Sequence, residues 1–271
     1  MLLLGGNSKE NRCAIISNMI LLVGNWKMAP EKSAEALTLA KKVLFTARKY
    51  KKSLTIVECV PAIHIPFLAK NIKTGISIGG QGVAPSDEVA QTGLASAGML
   101  ASYGAKYCIV GHSESRARGE TDEQTFLSTQ NLLQKKVTPI ICVGEKERDS
   151  HGWYLSEVKS QIESIVSKIS QSDLKKIVFV YEPVWAIGKD AAREATVAEC
   201  REMIIFIRKV ISDATNEKVG SSVHILYGGS VDDQNAHAFI TDGGAQGLLV
   251  GRVSLDAKRF EKLVKNINLV A

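Results

Sequence analysis

Short apolar runs alternate along the chain with longer amphipathic stretches of helical period, and the alternation repeats from Ile20 to the carboxyl terminus. The runs are ILLVGN from Ile20, LTIVECV from Leu54, ISIGGQ from Ile76, YCIVGH from Tyr107, TPIICVGE from Thr138, KIVFVYE from Lys176, VHILYGGS from Val223 and GLLVGR from Gly247. Between them lie patterns such as SAEALTLAKKVLFTARKY and DEQTFLSTQNLLQKK, and SLDAKRFEKLVKNI follows the last. A run that is apolar throughout, without alternation, suits a strand buried on both faces, which means a parallel sheet covered by helices. Eight such units with a closing helix predict a closed (β/α)8 barrel.

The length agrees with one domain of this type, because 271 residues exceed what a single ordinary core uses but suit a barrel. An open doubly wound sheet is the competing architecture. It usually carries a glycine-rich fingerprint after its first strand, and GNWKM stands there instead. Residues 1–18 show no periodic pattern, no basic residue before the apolar MLLL and no segment of signal-peptide length, so they read as an unstructured extension. Met19, directly before the first run, is an alternative start. The barrel is expected over 19–271.

Composition adds exclusions. No apolar run approaches the roughly 20 residues of a membrane span. Cys13, Cys59, Cys108, Cys142 and Cys200 form an odd set without a CxxC pair, which predicts reduced thiols in a cytoplasmic protein. The net charge of +6 raises nucleic acid as a partner, but the basic clusters at 48–52, 135–136 and 175–176 fall where helical patterns give way to strands. Cations there complement helix C-termini, so no nucleic-acid role is expected.

In a barrel of this kind the loops after the strands carry the chemistry. Strand ends therefore select the candidates: Asn25 and Lys27, His112, Glu182, Gly228 to Ser230, and Gly251. Alone, a strand-end lysine is commonly a surface cation, a histidine a satisfied core residue and a glutamate an ion-pair partner. Together they are a base at an apolar strand end, an electrophile, a cation and glycine turns. Asn25 and Lys27, two residues apart, would face one side of an extended chain. GGS followed by VDDQNA, read as a helix start, describes an anion site. The set suggests proton abstraction beside a carbonyl in a phosphorylated substrate. His64, His151, His224 and His237 lack such company, and no spacing fits a metal site.

GNWKM, GHSESR, ICVGE, YEPVWAIG, LYGGSV and GLLVG, in this order, resemble the triosephosphate isomerase family from Met19 to the end. The resemblance implies a single (β/α)8 TIM barrel that interconverts dihydroxyacetone phosphate and D-glyceraldehyde 3-phosphate through an enediolate. It further implies a homodimer in the cytoplasm, serving glycolysis and gluconeogenesis without cofactor or metal. Glu182 is then the base, His112 the electrophile, Lys27 the cation and Asn25 a substrate-orienting group. Gly188, Ser230, Gly251 and Arg252 match phosphate-holding positions; Glu114 would support Lys27, and Cys142 would pack on the base. Pro183 to Trp185 would form the first hinge of a lid.

The chain also departs from the family. Ser115 replaces the first of two arginines, and Leu94 replaces a glutamate that in the family meets that arginine across the dimer interface. Arg252 replaces a glycine. The lid, through Lys189 to Glu194, is about two residues longer and lacks its second glycine. Another phosphate-binding barrel isomerase acting on a larger sugar, or a non-catalytic phosphate-binding barrel, is the alternative.

Overall fold

The computed structural model describes residues 19–50, 54–188, 191 and 193–268. Eight parallel strands close into a barrel in sequence order: β1 (Ile20–Asn25), β2 (Leu54–Cys59), β3 (Ser77–Gly80), β4 (Tyr107–Val110), β5 (Thr138–Val143), β6 (Val178–Tyr181), β7 (His224–Tyr227) and β8 (Gly247–Val250). Each lies within an apolar run identified from sequence. Closure is made by β1, which pairs Ile20 with Leu54 on β2 and Leu21 with Gly247 on β8. The proposed extension, residues 1–18, lies outside the described residues.

Helices cover the barrel: α1 (Ser33–Lys49), α2 (Ile65–Asn71), α3 (Ala97–Ser102), α4 (Ser113–Ala117), α5 (Asp122–Gln134), α6 (Trp153–Val166), α7 (Gln171–Leu174), α8 (Val197–Ala214), α9 (Glu217–Ser222), α10 (Ala236–Thr241) and α11 (Ala257–Asn268). Local chemistry starts the two long helices that flank the site. Thr121 opens α5 and Thr196 opens α8, each in a reciprocal capping box with Gln124 or Glu199. The expected cations stand at helix ends: Arg48 and Lys49 in the last turn of α1, Lys135 and Lys175 at the C-caps of α5 and α7.

Strand residues alternate between two cores. Leu21, Val23, Val57, Cys59, Ile109, Ile140, Cys142, Val180 and Leu249 fill the barrel interior. Leu22, Ile56, Val110, Phe179 and Leu248 face the helices and join the larger outer core. The interior is therefore packed and the floor of the site is rigid. Cys59, Cys108, Cys142 and Cys200 are buried free thiols, while Cys13 lies outside the described residues. Among the described residues no helix is long and apolar enough to cross a membrane.

Candidate active site

The end of β1 does not stay extended. Lys27 takes a left-handed backbone with φ of 52°, a conformation unfavourable for a side chain of this size. Asn25, nearly buried, supports it by accepting the Lys27 N–H on Oδ1 at 3.1 Å. The two residues thus meet through a turn, not through the shared strand face expected from sequence. The turn carries the Lys27 ammonium to Glu114, where Nζ lies 2.6 Å from Oε1. The neighbouring ammonium holds the Glu114 carboxyl below its usual range, against the opposing effect of its own partial burial.

After β4, His112 serves as the N-cap of α4, and its Nδ1 accepts the Glu114 N–H at 3.2 Å. A nitrogen that accepts a backbone N–H holds a lone pair, so in the uncharged ring the proton sits on Nε2. That Nε2 lies 3.1 Å from Oε1 of Glu182.

Glu182 follows β6 directly and is only 2% exposed. Its main chain is fixed by donating N–H to Val143 O at 2.8 Å, while Oε2 accepts the Ser113 N–H at 3.1 Å. Cys142, one strand away, is fully buried; burial, then the adjacent Glu182 charge, pushes its thiol well above the ordinary range. It is a packing neighbour of the carboxylate and not a nucleophile.

Beyond Glu182 the chain makes one 3-10 turn, Val184–Ala186. Trp185 Nε1 donates to Glu145 Oε1 at 2.7 Å, and Tyr181 Oη donates to the same oxygen at 2.8 Å. Ser230, after β7, donates its hydroxyl to Ala186 O at 3.1 Å and so joins the phosphate-loop candidate to the turn after β6. Of the segment expected to form a lid, Pro183 to Gly188 are described, while Lys189, Asp190 and Ala192 lie outside the described residues.

The helix expected to open at VDDQNA begins later, at Ala236. Asp232 accepts N–H bonds from Gln234 and Asn235, Asn235 Oδ1 accepts from Asp232, and Asn235 Nδ2 donates to Ser230 O at 3.0 Å. These local bonds outcompete the helix over that stretch. Any anion site there is built from loop amides. Gly251 closes the ring of strand ends, where a Cβ would stand 3.8 Å from Lys27 Cε. Arg252 opens a 3-10 turn (Arg252–Leu255) and is not among the residues with positive φ, so replacing a glycine there leaves no backbone strain. Its side chain is exposed.

The model of the family described as triosephosphate isomerase matches residues 20–267. A triosephosphate isomerase of Herminiimonas arsenicoxydans is 36% identical over 251 residues, covering 90% of this chain and 98% of that protein. One of Methylococcus capsulatus is 35% identical over 252 residues, covering 92% and 98%.

The chain belongs to the triosephosphate isomerase family.

Three features around this family site were not singled out from sequence. Glu58, on β2, is completely buried and accepts the Trp26 indole N–H directly behind the Asn25–Lys27 turn. Glu145, also buried, gathers Tyr181 and Trp185, and burial raises its carboxyl above the usual range. Arg193 stacks on Trp185. The acid inside the apolar run LTIVECV was the available signal for Glu58, as was the ICVGE motif for Glu145; no local pattern marks Arg193.

Proposed function

We propose that Asn25, Lys27, His112 and Glu182 carry out the interconversion of dihydroxyacetone phosphate and D-glyceraldehyde 3-phosphate, with Glu182 moving the proton between adjacent carbons. Glu182 takes a proton from the hydroxyl-bearing carbon, and the bonding pair moves to form the enediolate as the carbonyl oxygen gains negative charge. His112 Nε2–H, with Lys27 Nζ, stabilises that oxygen, and the imidazole relays the hydroxyl proton from one oxygen to the other. Glu182 then returns its proton to the neighbouring carbon. No electrons leave the substrate, so the cycle balances without a cofactor. Amides around Gly188, Ser230, Gly251 and Arg252 receive the phosphate, and Glu114 orients Lys27.

The observation that carries this reading is the commitment of His112 Nδ1 to the Glu114 N–H, which leaves Nε2–H as the donor turned toward Glu182. An acid after β6 facing an aligned N–H donor after β4 is what proton transfer beside a carbonyl requires. In this arrangement the base is parked, because Ser113 N–H and His112 occupy both its oxygens.

A homodimer is supported by the exposed apolar side chains Ile63, Phe67, Leu94, Met99 and Tyr103, which lie in or beside the third loop and α2–α3. The reaction places the enzyme in glycolysis and gluconeogenesis, and a cytoplasmic location without nucleic-acid or membrane partners belongs to the same proposal. The test is a coupled assay of the purified chain with glyceraldehyde 3-phosphate, beside Glu182→Asp. Turnover is expected, with kcat lowered on the order of a hundredfold or more in the variant, because the carboxylate retracts by one methylene. No turnover by the parent chain, or near-normal kcat in the variant, refutes the assignment.

A further inference from the structure

The lid leaves the barrel at Pro183 and rejoins it at α8, and one side chain touches both ends. Arg193, on the returning arm, places its guanidinium carbon 4.5 Å from the centre of the Trp185 ring. Its two terminal nitrogens bind Glu199 at 2.9 and 2.7 Å, one to each carboxylate oxygen. Glu199 is a rigid anchor because it also closes the capping box of α8, accepting the Thr196 N–H at 2.8 Å. The fork from Arg193 is the main reason its carboxyl falls to about 2, so this anchor stays charged across the working pH range. A guanidinium paired edge-on to a carboxylate leaves its flat face free to stack, which an ammonium cannot reproduce.

Trp185 is thereby held from two sides. Its Nε1 is bonded to the buried Glu145, and its face is covered by Arg193. Val184, its neighbour, donates N–H to Glu145 O at 3.1 Å, so the whole turn is pinned. Glu182 stands at the root of the same turn and is parked on Ser113 and His112. It cannot reach a substrate carbon while occupied there, and the attached turn must shift when it leaves. Contacts that exist only in the parked arrangement stabilise that arrangement and oppose the shift.

We propose that Arg193 is a positioning residue that clasps Trp185 to Glu199 and so holds the lid and Glu182 in the parked arrangement until substrate binds. The inference rests on the reading of Glu182 as base and of the segment after it as lid. The bidentate bond from Arg193 to Glu199 ties this end of the return arm to the first turn of α8.

Arg193→Gln removes both stack and fork, whereas Arg193→Lys keeps a cation without the planar fork. The readout is competitive inhibition by 2-phosphoglycolate, whose carboxylate imitates the enediolate, together with KM, kcat and Tm. With the clasp gone, the balance shifts toward the engaged arrangement, so the inhibition constant and KM should fall together by about 3- to 10-fold in Arg193→Gln. A smaller fall is expected in Arg193→Lys. An inhibition constant that is unchanged or weaker in both variants overturns the proposal, and a lowered Tm with unchanged inhibition assigns Arg193 to structure alone. Glu182→Asp measured in parallel separates the two readings. Near-normal kcat there sinks the base assignment, whereas crippled kcat there with unaltered inhibition in the Arg193 variants sinks only the clasp.

Discussion

The indole N–H of Trp26 donates to Oε2 of Glu58, and the other carboxyl oxygen, Oε1, is buried with no partner among the described residues. Trp26 sits between Asn25 and Lys27 in sequence, so a wholly buried acid supports the turn that carries the Lys27 ammonium. Gly24 makes room for it: the two are register partners across β1 and β2, and a Cβ on Gly24 would stand 2.0 Å from Oε2.

Burial raises the Glu58 acid to about 8, with the indole bond opposing the shift. The folded chain therefore keeps a proton that the unfolded chain loses between its ordinary value, about 4.3, and about 8. Stability should fall as pH rises through that window. Glu58→Gln should flatten this slope, gaining on the order of a few kcal/mol relative to the parent between pH 5 and pH 8. Denaturant unfolding of both chains at the two pH values measures the difference. The amide's own cost is the same at both, so an equal gap at pH 5 and pH 8 would count against the assignment.

His112 both caps α4 and presents Nε2–H, and the two roles can be separated. His112→Asn retains a short acceptor for the Glu114 N–H but withdraws the donor from the reacting oxygens. It should keep Tm within a few degrees and lower kcat by about 100-fold or more, with a smaller effect on KM. Near-parental kcat would remove His112 from the mechanism.

Gly144 lies beside the main chain of Glu182, where a Cβ would stand 1.7 Å from Glu182 O. Backbone cannot yield cheaply at that distance. Gly144→Ala should displace Glu182, destabilise the fold by about 1–3 kcal/mol or more, and depress kcat by at least tenfold. Chemical denaturation and steady-state kinetics check both. An unperturbed variant would mean that the β5 and β6 ends are more compliant than the contact implies.

The subunit contact is predicted to be apolar and insensitive to salt. Leu94 is exposed and apolar, and Ser115 carries no charge and accepts a bond from Arg118 Nη2 at 3.1 Å. Sedimentation of the purified chain should show a dimer at micromolar concentration, with a dissociation constant changing less than about threefold between 50 and 500 mM salt. An active monomer, or a steep salt dependence, would refute the expectation.

The barrel was legible because buried parallel strands leave uninterrupted apolar runs, and Glu182, His112 and Lys27 stood out because chemistry in this architecture collects where such runs stop. Other features depend on relationships that no local pattern contains. Glu58 is explained only by the register that sets it opposite Gly24. The late start of α10 follows from Asp232 and Asn235 satisfying each other's main chain, a competition in which helix and turn use the same residues. Arg193 meets the ring of Trp185, a contact between residues eight apart that no local pattern in the sequence announces.

The pairing of β1 with β8 also constrains how the protein comes into being. The strand bearing Asn25 is made before the other seven described strands and must wait for Gly247–Val250, the last of them, before its open side is covered. Until then a nascent chain carries two unpaired strand margins, the kind of surface that recruits neighbours edge to edge. Ribosomal stalling or premature termination before residue 247 would accordingly release an aggregation-prone product, not a partly active enzyme, even though Lys27, His112 and Glu182 had all been translated.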